Sequence, residues 1–234
     1  IESGLSANKA EKETTERELE EVKAELSEWE NQKEPQPERS EAVIRNRKRL
    51  DALGIPYQEF YKVIEFGDNL DEEDCNRLEE ALLKMGILDA LVIDEQYKEQ
   101  VLHLEQGCED HYLFSCKNVQ KELQPGKSLL DVLELNEEVN DIFSNQRLTG
   151  ILGSIAYDNE SMITVAEDGT YRIGVLAGTV TGEYEAGFLG TKARERHRQA
   201  KMEACRQRIA ELEEVLQQLE EMYRKLFERK VTLR

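Results

Sequence analysis

Aromatic residues make up only 6% of this chain, with a single tryptophan. No apolar run approaches the roughly 20 residues that a membrane-spanning helix needs, which excludes a helical membrane protein. Nor does a charged-then-apolar leader open the chain, so a soluble and cytoplasmic setting, with no membrane partner, is expected. The four cysteines, Cys75, Cys108, Cys116 and Cys205, are too scattered to frame a disulfide-stapled fold, and reduced thiols are the default. Basic residues are outnumbered, 31 against 50 acidic ones, for a net charge of -19. A protein coated in nucleic acid needs a basic surface, so any DNA contact here must be local.

What is abundant is Glu, Lys, Arg, Gln and Leu at both ends, the composition of long helices. Near the C-terminal end, Met202, Cys205, Ile209, Leu212, Leu216, Leu219, Tyr223 and Leu226 are spaced alternately by three and four residues. That is a heptad seam sustained for more than three heptads. Leu19, Val22, Leu26 and Trp29 keep the same spacing near the start, and the pattern fades backward through Thr15 and Lys12 toward Leu5. Pro35 and Pro37 break that helix, and a second one resumes at Ser40, a good cap, and runs to Leu53 and Gly54. At about 1.5 Å per residue, residues 191–234 span roughly 65 Å and the two N-terminal pieces together roughly 60 Å. Arms of equal length are expected to bury their seams on each other as an antiparallel pair; the alternative is two helices that each dimerise with another chain. The chain starts and ends within helical sequence, as expected of a piece of a longer protein.

Most glycines and aromatics fall between these arms, in a stretch long enough for one core. The run Phe60-Tyr61-Lys62-Val63-Ile64-Glu65-Phe66 reads as a strand. Asp71 caps a helix that runs through Met85 and closes at Gly86. Residues 90–93 read as a short strand and 95–105 as a helix. From Asn136 the apolar positions Val139, Ile142, Phe143, Leu148, Ile151, Leu152 and Ile155 predict a further helix. Residues 162–166 and 170–176 flank Glu167-Asp168-Gly169 as a hairpin. The expected fold class is α+β: an outgoing coiled arm over 1–54, a mixed globular domain over 55–190 and a returning arm over 191–234.

Enzyme-like constellations are thin. Pro125-Gly126-Lys127-Ser128 resembles the end of a phosphate loop, but the glycine required five positions before Gly126 is Lys121, so a turn and a helix capped by Ser128 is the reading. His103, Cys108, His111 and Cys116 offer zinc-ligand types, yet the spacing matches no common module and Cys116 sits in the apolar stretch HYLFSC; no metal is expected. Acid runs such as Asp71-Glu72-Glu73-Asp74 suit the first turn of a helix. No Ser/His/Asp set can be assembled, and no catalytic residue or cofactor is expected.

The charge feature that stands out is basic. Arg45, Arg47, Lys48 and Arg49 give four positive charges in five residues. Lys192, Arg194, Arg196, Arg198, Lys201, Arg206 and Arg208 give seven against Glu195 and Glu203. If the arms pair, both segments fall at the root of the coil and form a collar suited to sequence-independent contact with duplex phosphates. The competing reading is a solvated face whose charges pair with acidic neighbours.

Coiled arm, globular domain, coiled arm resembles the hinge of SMC-type proteins. Phe60-Tyr61-Lys62-Val63-Ile64-Glu65-Phe66, Leu70-Asp71, Arg77-Leu78-Glu79-Glu80-Ala81-Leu82 and Gly86-Ile87-Leu88-Asp89-Ala90 resemble the hinge entry of MukB-like condensins of the Wadjet type, the JetC subunits. Asp168-Gly169-Thr170-Tyr171-Arg172-Ile173-Gly174-Val175-Leu176, Phe188-Leu189-Gly190 and Ala193-Arg194-Glu195-Arg196 resemble the return. The resemblance covers residues 57–208. It implies a homodimer joined at the hinge, in a parent ATPase that works with other condensin-like subunits and a nuclease, extrudes DNA loops and defends against plasmids. No ATPase head motif is present, so the fragment itself is not expected to be an enzyme. For the dimer interface the apolar segment Leu148, Gly150, Ile151, Leu152, Gly153 and Ile155 is a candidate; core helix packing is the alternative. A stalk-mounted protein-binding module that does not self-associate is the alternative function.

Overall fold

In the computed structural model, residues 2–31, 33–103, 106–114, 126–136 and 145–232 are described. The chain divides into two compact units, one of Ile1–Pro35 with Glu195–Arg234, the other Gln36–Arg194.

The first unit is the arm. Helix α1 (Glu2–Glu30) runs antiparallel to residues 195–232 of α7 (Thr191–Thr232). Most of the seam is built as the spacing predicts: Leu19, Trp29, Met202, Cys205, Leu212 and Leu219 are buried, whereas Tyr223 is 42% exposed. Trp29 closes a cluster with Met202 and Cys205, against which Val22 and Leu26 pack. Interhelical ion pairs flank the seam, among them Glu2–Lys230 at 3.0 Å, Lys12–Glu220 at 2.7 Å and Glu30–Arg206 at 3.2 Å. Exposed pairs of this kind contribute only about 0–1 kcal/mol each, so apolar burial supplies the stability and the charges select the orientation. Where the heptad pattern fades, the seam is polar. Asn8 is buried and its amide donates to the Leu219 carbonyl at 3.1 Å, a contact that penalises other registers.

In the second unit, α2 (Glu41–Ala52) is capped by Ser40, whose Oγ accepts from Val43 N, and it ends at Leu53 and the positive-φ Gly54. The sequence places this helix in the outgoing arm. It belongs instead to the globular unit, because Leu50 packs with Ile55, Leu91, Ile93 and Val101. The expected strand over 60–66 is split: β1 (Tyr57–Glu59), a helical turn α3 (Phe60–Val63), then β2 (Ile64–Phe66). Phe60, Tyr61 and Val63 are all buried, a pattern that alternation in a strand cannot produce and a helical turn inside the core can.

Helix α4 (Glu72–Lys84) has Asp71 as its cap and stops before Gly86, which has φ +72°, as the sequence predicts. Next come β3 (Leu91–Ile93), a 3-10 turn, α5 (Lys98–Leu102) and β4 (Tyr112–Phe114). Ser128 caps only a 3-10 turn, which leads into β5 (Leu133–Leu135). Of the helix expected from Asn136, Val139, Ile142 and Phe143 lie outside the described residues; α6 covers Asn145–Gly153. Strands β6 (Ala156–Tyr157), β7 (Ile163–Val165), β8 (Thr170–Ile173) and β9 (Leu176–Thr179) follow.

Three small sheets result, in the orders β1-β3-β4, β2-β5 and β6-β7-β8-β9. The predicted hairpin joins β7 to β8 through Gly169, which has φ +82° and where an added Cβ would meet Val180 Cγ2 at 2.3 Å. The expected second strand over 170–176 turns at Gly174-Val175 and continues as β9. The main core lies between α4, α6 and the sheets, with Leu82, Leu88, Leu129 and Leu152 fully buried.

Candidate functional site

Helix α2 sorts its basic residues by face. Asn46, Arg47 and Leu50 are buried, while Arg45 and Lys48 are exposed. Arg47, only 6% exposed, lies among three carboxylates. Its guanidinium donates to Asp89 Oδ2 at 2.9 Å and Asp110 Oδ2 at 3.1 Å and reaches Glu59 Oε1 at 3.5 Å. Arg39 grips Asp89 from the other side with two bonds of 2.8 and 2.7 Å. These pairs hold both guanidiniums firmly charged, against the burial that opposes charge. A guanidinium enclosed in this way has no donor left for a phosphate, so Arg47 leaves the candidate DNA-contacting set. The signal was present in sequence: Arg47 shares the helix face of Val43 and Leu50, three to four residues apart.

The other basic residues are placed variously. Arg45 Nε donates to the Gly107 carbonyl at 3.1 Å while its Nη1 pairs with Glu41 at 3.7 Å, and Arg49 Nη1 donates to the His103 carbonyl at 3.4 Å. In the same unit Lys192 is exposed, and Arg194 Nη1 donates to the carbonyls of Phe188 and Tyr61 at 3.1 and 3.3 Å. Within the arm unit, Arg196 and Lys201 are exposed, Arg198 pairs with Glu195 at 2.9 Å, and Arg208 pairs with Glu18 at 2.6 Å.

The segment that leads into α7 is held by acids that composition alone marks as solvated. Glu79 is fully buried on α4 and accepts from Tyr184 Oη (2.6 Å), Gly187 N (2.8 Å), Phe188 N (3.2 Å) and Leu189 N (2.7 Å). Burial pushes its carboxyl above the usual range, and the four donors pull the other way. One turn apart on the same helix, Asn76 accepts from Ala186 N, while Glu80 accepts from the amide and hydroxyl of Thr181. Glu65 accepts from the amide and hydroxyl of Thr191 at 2.7 and 2.6 Å and so caps α7.

The interface expected on α6 is corrected. Leu148, Ile151, Leu152 and Ile155 are at most 5% exposed and Gly153 is buried, with Gly150 only partly covered. The four apolar side chains fill the main core, and of the six residues only Gly150 is partly open. Exposed apolar surface lies instead at the β8–β9 turn: Val175 is fully exposed, Leu176 60% and Met162 61%.

Of the zinc-type residues, His111 packs on Gly86, the His103 ring contacts the Glu99 carbonyl and Cys116 lies outside the described residues. Among the described residues no group of three His, Cys, Asp or Glu could hold a metal, and no helix is long and apolar enough to cross a membrane.

No family model and no curated protein matches this chain. Solved structures do. The hinge domain of Pyrococcus furiosus Smc with an extended coiled coil is 20% identical, over 99% of this chain and 84% of that one, at a TM-score of 0.42. An asymmetric dimer of the Geobacillus stearothermophilus SMC hinge domain is 14% identical over 96% and 95%, at 0.41. The folded elbow of cohesin is 13% identical over 99% of this chain and 38% of that one, at 0.38.

Proposed function

We propose that this chain is the hinge segment of an SMC-type protein, which joins two copies of its parent and carries no catalysis of its own. The observation that supports this most is topological. Helices from opposite ends of the chain zip antiparallel into one arm, and the whole of Gln36–Arg194 is inserted between them in sequence. A chain built in this way leaves along a coil, folds a domain and returns along the same coil. The quoted motifs around 60–90 and 168–196 extend the reading to a MukB-like condensin of the Wadjet family, a JetC-like subunit. Its parent would be an ATPase of an anti-plasmid system that extrudes DNA loops in the cytoplasm with partner subunits and a nuclease.

Self-association is the first test. Light scattering on the purified chain at tens of micromolar is expected to return the mass of a dimer. A stable monomer at that concentration overturns the hinge reading and favours a stalk-mounted module that binds another protein.

DNA contact at the basic segments is the second part of the proposal, with Lys48, Lys192 and Lys201 among its exposed charges. Arg45, Arg49, Arg194, Arg196 and Arg198 complete the set proposed. Binding is expected to be independent of sequence and to weaken more than about tenfold between about 50 and 200 mM salt, as counterion release requires. Changing Lys48, Lys192 and Lys201 together to Glu is expected to abolish retention of a duplex in gel shift, with the melting curve unchanged. Undiminished binding by that variant removes the basic segments from the proposal.

A further inference from the structure

We propose that the arm carries a binding site for a linear aliphatic amine, seated in a cavity between α1 and α7 where the heptad seam turns polar. The site lies wholly within the arm unit and is independent of the hinge reading.

The cavity follows from a mismatch between the two helices. On α7 the seam stays apolar through Leu216, Leu219 and Tyr223, whereas the seam positions of α1 at this level are Asn8, Lys12 and Thr15. Thr15 turns its hydroxyl back to the Glu11 carbonyl at 2.9 Å, and Lys12 reaches out to Glu220 at 2.7 Å. Neither fills the space that a leucine would. Beside them opens a cavity of about 510 Å³, a size that suits a small molecule. Tyr223 lines it and stands 42% exposed, although its spacing places it in the seam.

The hydrogen-bonding groups of the lining fix the chemistry of the occupant. Asn8 lines the cavity and is 4% exposed; its amide N–H goes to the Leu219 carbonyl, and no protein donor reaches its buried Oδ1. An amide oxygen without a donor is costly to bury, so the occupant must donate. It must also be cationic. The lining lysines already face carboxylates, Lys12 between Glu220 and Glu16 and Lys9 at 3.8 Å from Glu13, and three glutamates against two lysines leave the wall one charge negative. A metal ion does not meet these terms, since among the described residues no group of three His, Cys, Asp or Glu could hold one. An alkylammonium does. Its N–H groups suit Asn8 Oδ1 and the open oxygens of Glu16 and Glu220, its charge suits the face of Tyr223, and its methylenes suit the stems of Lys9 and Lys12. A second ammonium at the far end of the same chain suits Glu13 at the exposed rim.

Calorimetric titration of the whole chain with putrescine and with spermidine at low salt tests the site. Saturation at one amine per chain is expected. Butanediol, of putrescine's length but uncharged, and magnesium chloride at matched ionic strength are expected to give no saturable signal. Asn8→Leu supplies the residue that a heptad seam favours and removes the open acceptor; Tyr223→Ser removes the ring. Each is expected to weaken the amine at least about tenfold with the helical circular dichroism retained. Tyr223→Ser, at a partly exposed position, keeps the test decisive if Asn8→Leu alters how the arm packs. Glu16→Gln is expected to weaken binding as well, whereas Glu214→Gln, the same change of charge outside the cavity, is expected to stay within about twofold of wild type. Equal losses at Glu16 and Glu214 would identify a diffuse counterion atmosphere and overturn the site. So would the absence of saturation, saturation by magnesium or butanediol, or amine binding that survives both Asn8→Leu and Tyr223→Ser.

Discussion

Glu79→Gln is expected to cost the globular unit about 3 kcal/mol or more, one of the two largest losses of any single substitution in it. The carboxylate offers both oxygens to donors: Oε1 to Tyr184 and Gly187, Oε2 to Leu189, with Phe188 shared between them. Glutamine keeps one oxygen and replaces the other with an amide that is itself a donor, so at least one buried N–H faces an N–H. The stranded group pays its full desolvation penalty, about 1–3 kcal/mol, and the bonds that remain lose the assistance of charge. A urea melt of the variant, read at 222 nm, checks the loss. Hydrogen exchange should locate it, with protection falling first at Gly187, Phe188 and Leu189. A midpoint within experimental scatter of wild type would show that the segment before α7 is held by packing alone.

Arg47→Met is the second large effect, expected at about 3–5 kcal/mol. The substitution preserves much of the volume, takes from Asp110 its guanidinium partner, and leaves Asp89 to Arg39 and Glu59 to Arg39 and Lys62. Its neighbour Lys48→Met, on the exposed face, is expected to stay within about 0.5 kcal/mol of wild type. The contrast between adjacent positions is the useful measurement, because it separates enclosure from charge. Adding Asp110→Leu to Arg47→Met should recover part of the loss, since a buried charge without its partner is worse than no charge. Equal, small losses at both positions would place Arg47 back among the solvated charges.

These two sites also mark where sequence reading stops. The arm was legible because the leucine seam repeats locally, and each helix needs only its own periodicity to declare a face. Ser40, Asp71, Gly54 and Gly86 were legible for the same reason: a cap bonds to amides three residues away, and a positive φ is a property of one residue. The turn at Gly169 followed from its own tripeptide. At 60–66 local reasoning failed, since an apolar run looks the same whether it is a strand or a helical turn wholly inside the core. It failed again at α6, where Leu148, Ile151 and Leu152 could serve a partner or the chain's own interior with equal composition.

The candidate surfaces were less legible still. Arg45, Arg47, Lys48 and Arg49 are interchangeable as a charge count, yet one is enclosed by carboxylates from β1, the loop before β3 and the approach to β4. Strand β9 was hidden because the two-residue turn before it sits inside what reads as one uninterrupted strand.

By itself, then, the order of residues determined the periodic and the local: two heptad helices at the ends, their caps, the stops and one tight turn. Only the tertiary structure decided the fate of the charges and the ownership of the apolar segments, because desolvation and hydrogen-bond geometry depend on groups that meet from distant parts of the chain. Glu79 and the amides it holds are more than a hundred residues apart, and nothing between them announces the encounter.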